Sequence, residues 1–231
     1  MENNIRDNMK KIEQQIAQAS SRRRADNGAV KLVAVSKNNP AEAIIAAHAA
    51  GMNCFGESRI QETRDKQLLI HQPLEWHLIG HLQTNKAKQA VKYFDLIQSL
   101  DSERLADAID IEAGKISKVQ QILLQINIAN EQRKHGVGIN DSWQLLEYLL
   151  AKNNLEVRGL MAIVPFYDDP EEAREHFFEM NIIFNEMRRV SKKTNFDMLS
   201  MGMSGDFSVA IEEGANVVRI GTALFGERNL N

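Results

Sequence analysis

The sequence predicts an α/β protein built as a single (β/α)8 TIM-type barrel with one helix ahead of it, and three observations predict it. Eight short apolar runs, rich in Val, Ile and Leu, alternate with segments of helical periodicity across 31–220. That is the pattern of parallel strands covered by the helices that connect them. The chain has 231 residues, close to the roughly 250 usual for such a barrel. No linker, low-complexity stretch or internal repeat divides it, and only 4 prolines interrupt it. One domain over 1–231 is therefore expected, with 1–25 as a leading helix and turn packed on the barrel. A six-stranded doubly wound sheet is the alternative, since the short runs at 53–55 and 94–98 carry the weakest strand signals.

Each element has its local reason. Over 4–19, Ile5, Met9, Ile12 and Ile16 fall on one face of a helix, and the polar segment 20–28 ends it. Strand 31–35 follows, then helix 41–50 behind Pro40 and closed by Gly51. Strand 53–55 leads into helix 57–70, which Pro73 terminates; strand 75–79, helix 84–91, strand 94–98 and helix 102–113, capped by Gly114, come next. Strand 119–128 precedes helix 141–152, where Asp141 opens the first turn and Trp143, Leu146 and Leu150 share a face. After strand 155–163, the acidic stretch 168–172 opens a long helix to about 192, favourably placed against the positive end of its dipole. Strand 196–200, helix 204–213 and strand 216–220 complete the alternation.

Composition excludes several function classes. The chain is 43% hydrophobic and 26% charged, with a net charge of -3 and a pI near 6.1, so neither nucleic acid nor an anionic membrane is attracted globally. The Arg22-Arg23-Arg24 cluster is short and local. No run is long enough to span a membrane and the polar start lacks a signal-peptide core, which makes a cytoplasmic location the expectation. The lone cysteine, Cys54, sits in an apolar strand run and is expected to be an inert packing residue. His48, His71, His81, His135 and His176 show no metal-ligand spacing, so no metal is expected.

In a barrel of this kind the chemistry gathers at the C-terminal ends of the strands, and the loops after strands seven and eight commonly hold a phosphate. After strand seven comes Ser200-Met201-Gly202-Met203-Ser204-Gly205-Asp206, rich in hydroxyls and small residues. After strand eight comes Arg219-Ile220-Gly221-Thr222, with a guanidinium, a glycine for close backbone approach and another hydroxyl. Strand one, their neighbour when the ring closes, ends at Ser36-Lys37. A lysine beside an anion site describes an amine that forms a Schiff base with a phosphorylated carbonyl compound. Only the neutral amine attacks, so burial would help a group whose ordinary pKa is about 10.4.

Ordered motifs then carry a resemblance across most of the chain. They are Leu32-Val33-Ala34-Val35-Ser36-Lys37; Phe55-Gly56-Glu57 with Gln61-Glu62; Trp76-His77-Leu78-Ile79-Gly80 with Leu82-Gln83 and Asn85-Lys86; Asn127 with Glu131, Lys134 and Gly136; Gly159-Leu160-Met161; 199–204 with Asp206; and Val218-Arg219-Ile220-Gly221-Thr222 with Phe225-Gly226. The sequence resembles the pyridoxal phosphate (PLP) homeostasis family, single-domain PLP-binding proteins similar to the N-terminal barrel of bacterial alanine racemase. The resemblance implies that Lys37 carries PLP as an internal aldimine, that Ser204, Gly221 and Thr222 hold its phosphate, and that Arg219 faces the pyridine nitrogen. Ser58, His77 and Met201 are further cofactor-contact candidates. Ser58 departs from the asparagine usual after Phe-Gly-Glu in that family, and His77 reads equally well as a satisfied histidine in a barrel layer. Lys134 is either a second amine near the site or a loop residue; Glu57 and Glu62 are expected to order loops and helix starts.

Three functions follow as expectations. The first is a protein that holds PLP on Lys37 and takes part in intracellular vitamin B6 homeostasis, as a monomer, with PLP-dependent apoenzymes as possible recipients. The second is an amino-acid racemase of the alanine racemase type. An arginine cannot give up its proton, so Arg219 would leave the ring nitrogen unprotonated and weaken the ring as an electron sink. Alanine racemase also draws a second base from an additional domain, and the tyrosine that family carries four residues beyond the lysine is Ala41 here. Of Tyr93, Tyr148 and Tyr167, only Tyr167 is placed to reach the mouth, and 165–170 reads as a surface loop. The third is an aldolase using Lys37 on a sugar phosphate, which would carry no chromophore.

Overall fold

The computed structural model describes residues 2–24, 27–131, 133–192 and 195–226, with side chains from Asn4 onward. Part of the expected turn at 20–28 and the tail 227–231 lie outside the described residues. Eight parallel strands run in sequence order: β1 (Lys31–Val35), β2 (Cys54–Glu57), β3 (Glu75–Leu78), β4 (Leu96–Leu100), β5 (Gln120–Ile126), β6 (Leu155–Ala162), β7 (Met198–Ser200) and β8 (Val217–Ile220). Each pairs with the next, and β1 pairs with β8, setting Val33 opposite Arg219 and closing the barrel. The helices are α1 (Glu2–Ser20), α2 (Ala41–Ala49), α3 (Ile60–Gln67), α4 (Ala87–Tyr93), α5 (Glu103–Lys115), α6 (Ile139–Leu150), α7 (Arg174–Ser191), α8 (Phe207–Glu212) and the short α9 (Thr222–Phe225).

Every expected element is present, and the differences lie at boundaries. Strand β2 extends through Glu57 because that carboxylate is buried and bonded at the strand's end, so α3 starts three residues later than its pattern suggests. Strand β4 begins at Leu96. Phe94 ends α4, its N–H bonded to the Ala90 carbonyl, and the Asp95 carboxylate accepts from the Trp76 N–H. The long seventh helix starts at Arg174, after a 3-10 turn, Pro170–Ala173, whose Asp169 side chain accepts from the Glu171 N–H.

Alternate strand residues face opposite ways, so the sheet has two faces. Ala34, Phe55, Trp76, Leu78, Ile97, Leu199 and Ile220 join one large buried cluster with the helices. Val33, Cys54 and Val217 form a separate apolar cluster inside the barrel, and Leu96, Leu123 and Met161 another. Gly159 has φ +143 where the β5–β6 register slips, and a Cβ there would meet the Met198 carbonyl oxygen at 1.9 Å, so only glycine lets β7 approach. Helix α1 buries Ile5, Met9 and Ile12 and packs against α2, α8 and α9. Its Asn8 donates to the Leu224 carbonyl at 3.0 Å, tying the leading helix to the turn after β8. No helix among the described residues is long and apolar enough to cross a membrane.

Candidate functional site

Strand β1 ends in a turn held from below by a buried ion pair. The Lys66 ammonium, on α3, donates to Glu57 at 2.6 Å, to Glu62 at 2.6 Å and to the Ser36 carbonyl at 2.8 Å. Ser36 donates its hydroxyl to the same Glu57 oxygen at 2.7 Å, and the Asn38 N–H donates to Glu62 at 2.5 Å. Asn38 takes the left-handed φ of 63°, which an Asx residue tolerates and which tightens the turn around Lys37. Burial pushes the Glu57 carboxyl above its usual range, against the opposing pull of Lys66 and Ser36. Both carboxylates order the Lys37 turn, as their positions in the sequence suggest.

Half-buried Lys37 lines two adjoining cavities at the barrel mouth, of about 280 and 300 Å³, which share Ser58, Ile79 and Ile163. The first is completed by Met203, Ser204, Arg219, Gly221, Thr222 and the exposed ring of Phe166. On its far side the Ser204 hydroxyl accepts from the N–H groups of Gly221 and Ala223, at 3.2 and 3.3 Å, joining the turns after β7 and β8. The turn runs close over β1: a Cβ on Gly221 would stand 3.3 Å from the Val35 carbonyl oxygen. Asp206 fixes the preceding turn by accepting from the Met203 N–H at 2.5 Å. The second cavity adds His81, Gln125, Arg133, Lys134 and His135; Lys134 lies 2.6 Å from Glu131.

Behind the mouth the barrel carries a polar layer where apolar side chains usually stack. Arg219 donates Nη1 to Ser200 Oγ at 2.6 Å and Nη2 to the Ala162 carbonyl at 2.8 Å. Ser200 lies 2.6 Å from Gln98 Oε1, Gln98 Nε2 lies 2.8 Å from His77 Nδ1, and His77 Nε2 lies 2.8 Å from Glu75. Burial lowers the Arg219 guanidinium to about 10, leaving it charged at neutral pH, and burial lowers the His77 imidazole, leaving it neutral. Cys54 is buried against His77, and burial pushes its thiol up out of the reactive range, in keeping with the inert role expected of it.

The structure thus brings together Lys37, Ser58, Ser204, Arg219, Gly221 and Thr222, and it separates two other candidates from them. Met201 follows β7 directly and is buried in the large outer cluster; Met203 lines the cavity instead. His77 lies deeper in the barrel and reaches Arg219 only through Gln98 and Ser200. Tyr167 turns its hydroxyl to His176 on α7, 3.1 Å away, and lines neither cavity. Sequence reasoning missed Gln98, although a glutamine at an inward position in the apolar run Leu96-Ile97-Gln98 was a signal. Nor does spacing reveal that His81 and His135 stack at 3.7 Å, with Asp101 close enough that one ligand atom from each of the three falls within 4.8 Å.

The family model described as alanine racemase, N-terminal domain, matches residues 3–229. The chain is 41% identical over 226 residues to a pyridoxal phosphate homeostasis protein of Aquifex aeolicus, covering 97% of this chain and 99% of that one. It is 34% identical over 237 residues to the Homo sapiens protein of the same name, covering 96% and 86%. Among solved structures it is similar to PipY of Synechococcus elongatus with PLP bound, with TM-score 0.84, 36% identity and coverage of 96% of this chain and 100% of that one. An alanine racemase of Clostridium difficile, 14% identical with TM-score 0.76 over 99% of this chain and 61% of that one, shares the barrel fold.

Proposed function

The chain belongs to the alanine racemase N-terminal domain family, and to the pyridoxal phosphate homeostasis proteins within it; on that premise we propose that it binds PLP as a Schiff base on Lys37 and serves intracellular PLP homeostasis. One observation carries the reading: a single cavity is lined by an amine, Lys37, a guanidinium, Arg219, and the turns after β7 and β8, where the Ser204 hydroxyl gathers the N–H groups of Gly221 and Ala223 beside Thr222. That donor set fits PLP, which supplies an aldehyde, a phosphate and a ring nitrogen.

Lys37 is the amine, oriented by the turn that Glu57, Glu62 and Lys66 hold. The amides of Gly221 and Ala223, with the hydroxyls of Ser204 and Thr222, suit a phosphate through charge-assisted hydrogen bonds. Arg219 presents a permanent donor to an unprotonated ring nitrogen, and Ser58 is a neutral hydroxyl within the cavity. Ile79 and Ile163 offer apolar walls. The arrangement suits retention and release of the cofactor better than carbanion chemistry, because Arg219 does not protonate the ring and no tyrosine lines either cavity among the described residues.

The test is delivery. Protein loaded with PLP is separated from free cofactor and mixed with a PLP-free apoenzyme. Recovery of that enzyme's activity, absent when Lys37→Ala protein is carried through the same loading, supports a holding and releasing role. Failure of wild-type protein to acquire a visible absorption band with PLP contradicts it and favours the aldolase reading.

A further inference from the structure

The polar layer inside the barrel has a direction, and that direction follows from Arg219. A guanidinium can only donate, so Ser200 Oγ must accept from Nη1 at 2.6 Å and send its own hydrogen elsewhere. Gln98 Oε1, 2.6 Å away, takes it, which aims the Gln98 amide nitrogen at His77 Nδ1, 2.8 Å distant. His77 Nδ1 is then an acceptor, the ring proton sits on Nε2, and Nε2 donates to Glu75 at 2.8 Å. Glu75 also receives the Lys31 ammonium at 2.6 and 2.5 Å. Side chains from β8, β7, β4, β3 and β1 therefore form one unbroken run from the cavity to the opposite end of the barrel. Lys31 and Glu75, each about one third exposed, meet solvent there, with side-chain exposures of 34% and 36%.

We infer that His77, Gln98 and Ser200 are positioning residues for Arg219, fixing the guanidinium that meets the ring nitrogen of bound PLP; this rests on the PLP-binding reading above. Their burial argues for a task. His77, Gln98 and Ser200 are fully buried and Arg219 nearly so. Polar groups in a barrel core disfavour folding unless each finds a partner, and an apolar layer would fill the same space without that requirement. Removing one member does more than lose a bond, because the next amide or hydroxyl is freed to rotate. Without Gln98, Ser200 loses the acceptor that turns its lone pair toward Arg219. The order of effect follows position: Ser200 touches Arg219, Gln98 acts through Ser200, and His77 sets the facing of Gln98. None of the three lines the cavity, so any change they cause at the cofactor passes through Arg219.

Nitrogen-15 spectra of histidine-labelled protein report the relay without any cofactor. The expected signal for His77 is a neutral ring protonated on Nε2; a ring protonated on Nδ1, or a charged one at neutral pH, overturns the relay. The second measurement is PLP affinity and the pH dependence of the bound cofactor's absorption in wild type, Gln98→Met, Ser200→Ala and Ser200→Thr. Gln98→Met and Ser200→Ala are expected to weaken binding about tenfold, the equivalent of one hydrogen bond. Both should also make the absorption band change with pH between 6 and 9, where that of wild type is expected to stay constant. Ser200→Thr, which restores a hydroxyl, should recover both properties. Equal affinities and equal pH profiles in all four proteins, with circular dichroism showing them folded, overturn the inference while leaving PLP binding intact. Failure of wild type to bind PLP instead overturns the binding reading, and the histidine spectra still decide the relay.

Discussion

The Lys66 ammonium lies 2.6 Å from the Glu57 carboxylate, in a place where the Glu57 side chain is fully buried and that of Lys66 only 7% exposed. The same ammonium holds the carbonyl of Ser36, the residue before Lys37. A buried pair adds little net stability, but removing one partner leaves the other charge stranded. Lys66→Met is therefore expected to cost about 3 to 5 kcal/mol in urea denaturation. In refolded protein it should also loosen PLP retention, because the turn that aims Lys37 loses its anchor. A loss under 1 kcal/mol would mean that the pair does not hold the turn.

The anion spot gives a second expectation. Thr222→Ala and Ser204→Ala should each weaken PLP binding by roughly 1.5 to 3 kcal/mol, the worth of a hydrogen bond to a charged group. Titration with pyridoxal, which lacks the phosphate, is the control. If wild type and both variants hold pyridoxal and PLP equally, the turns after β7 and β8 are not the phosphate site.

Acid should destabilise the protein in two stages. Burial holds the His77 pKa below its ordinary 6.5, so the unfolded chain takes up a proton there first, and stability falls as pH drops below that value. Glu75 is lowered from 4.5 to about 2, chiefly by the hydrogen bond from His77 and also by Lys31. Its contribution is complete above about 4.5 and is lost as pH falls toward 2. Thermal unfolding midpoints from pH 7 to 2.5 should trace both legs, and Glu75→Gln should flatten the lower one. An unchanged lower leg in that variant would place the acid sensitivity elsewhere.

Racemisation needs a proton removed from one face of the substrate carbon and delivered to the other. Tyr167 is turned to His176, and the cavities offer no tyrosine among the described residues. Alanine and other common amino acids are therefore expected to racemise no faster with PLP-loaded protein than with PLP in buffer, as followed by chiral chromatography. Turnover that disappears in Lys37→Ala would reverse this reading, and His81→Gln, His135→Gln and Tyr167→Phe would then identify the second base.

Much of this was legible in the sequence. The alternation of apolar runs and helical segments located all eight strands, because parallel strands covered by helices leave nearly continuous apolar runs. Lys37, Ser204, Gly221 and Thr222 were legible because they follow strand ends that the fold brings to one face, and Arg219 because it lies near the end of β8. What was hidden depends on which way a side chain points. Met201 looked available beside Ser200, yet the chain runs on past β7 with its N–H on the Val217 carbonyl, and Met201 went to the outer core. His77 sits at the end of its strand but points into the barrel, one layer below the mouth, where only the partners Gln98 and Glu75 explain it. The stacking of His81 on His135 joins the loops after β3 and β5, a closeness that no spacing along the chain encodes.

Lys37 is proposed as the amine that holds the cofactor. Protein incubated with PLP is reduced with borohydride, digested and mapped by mass spectrometry, alongside Lys37→Ala treated in the same way. One pyridoxyl group on Lys37 is expected in wild type, with the visible band lost on reduction, and no comparable labelling in a folded Lys37→Ala. A pyridoxyl group found chiefly on Lys134 or another lysine, or a Lys37→Ala protein that still shows the full visible band, would contradict it.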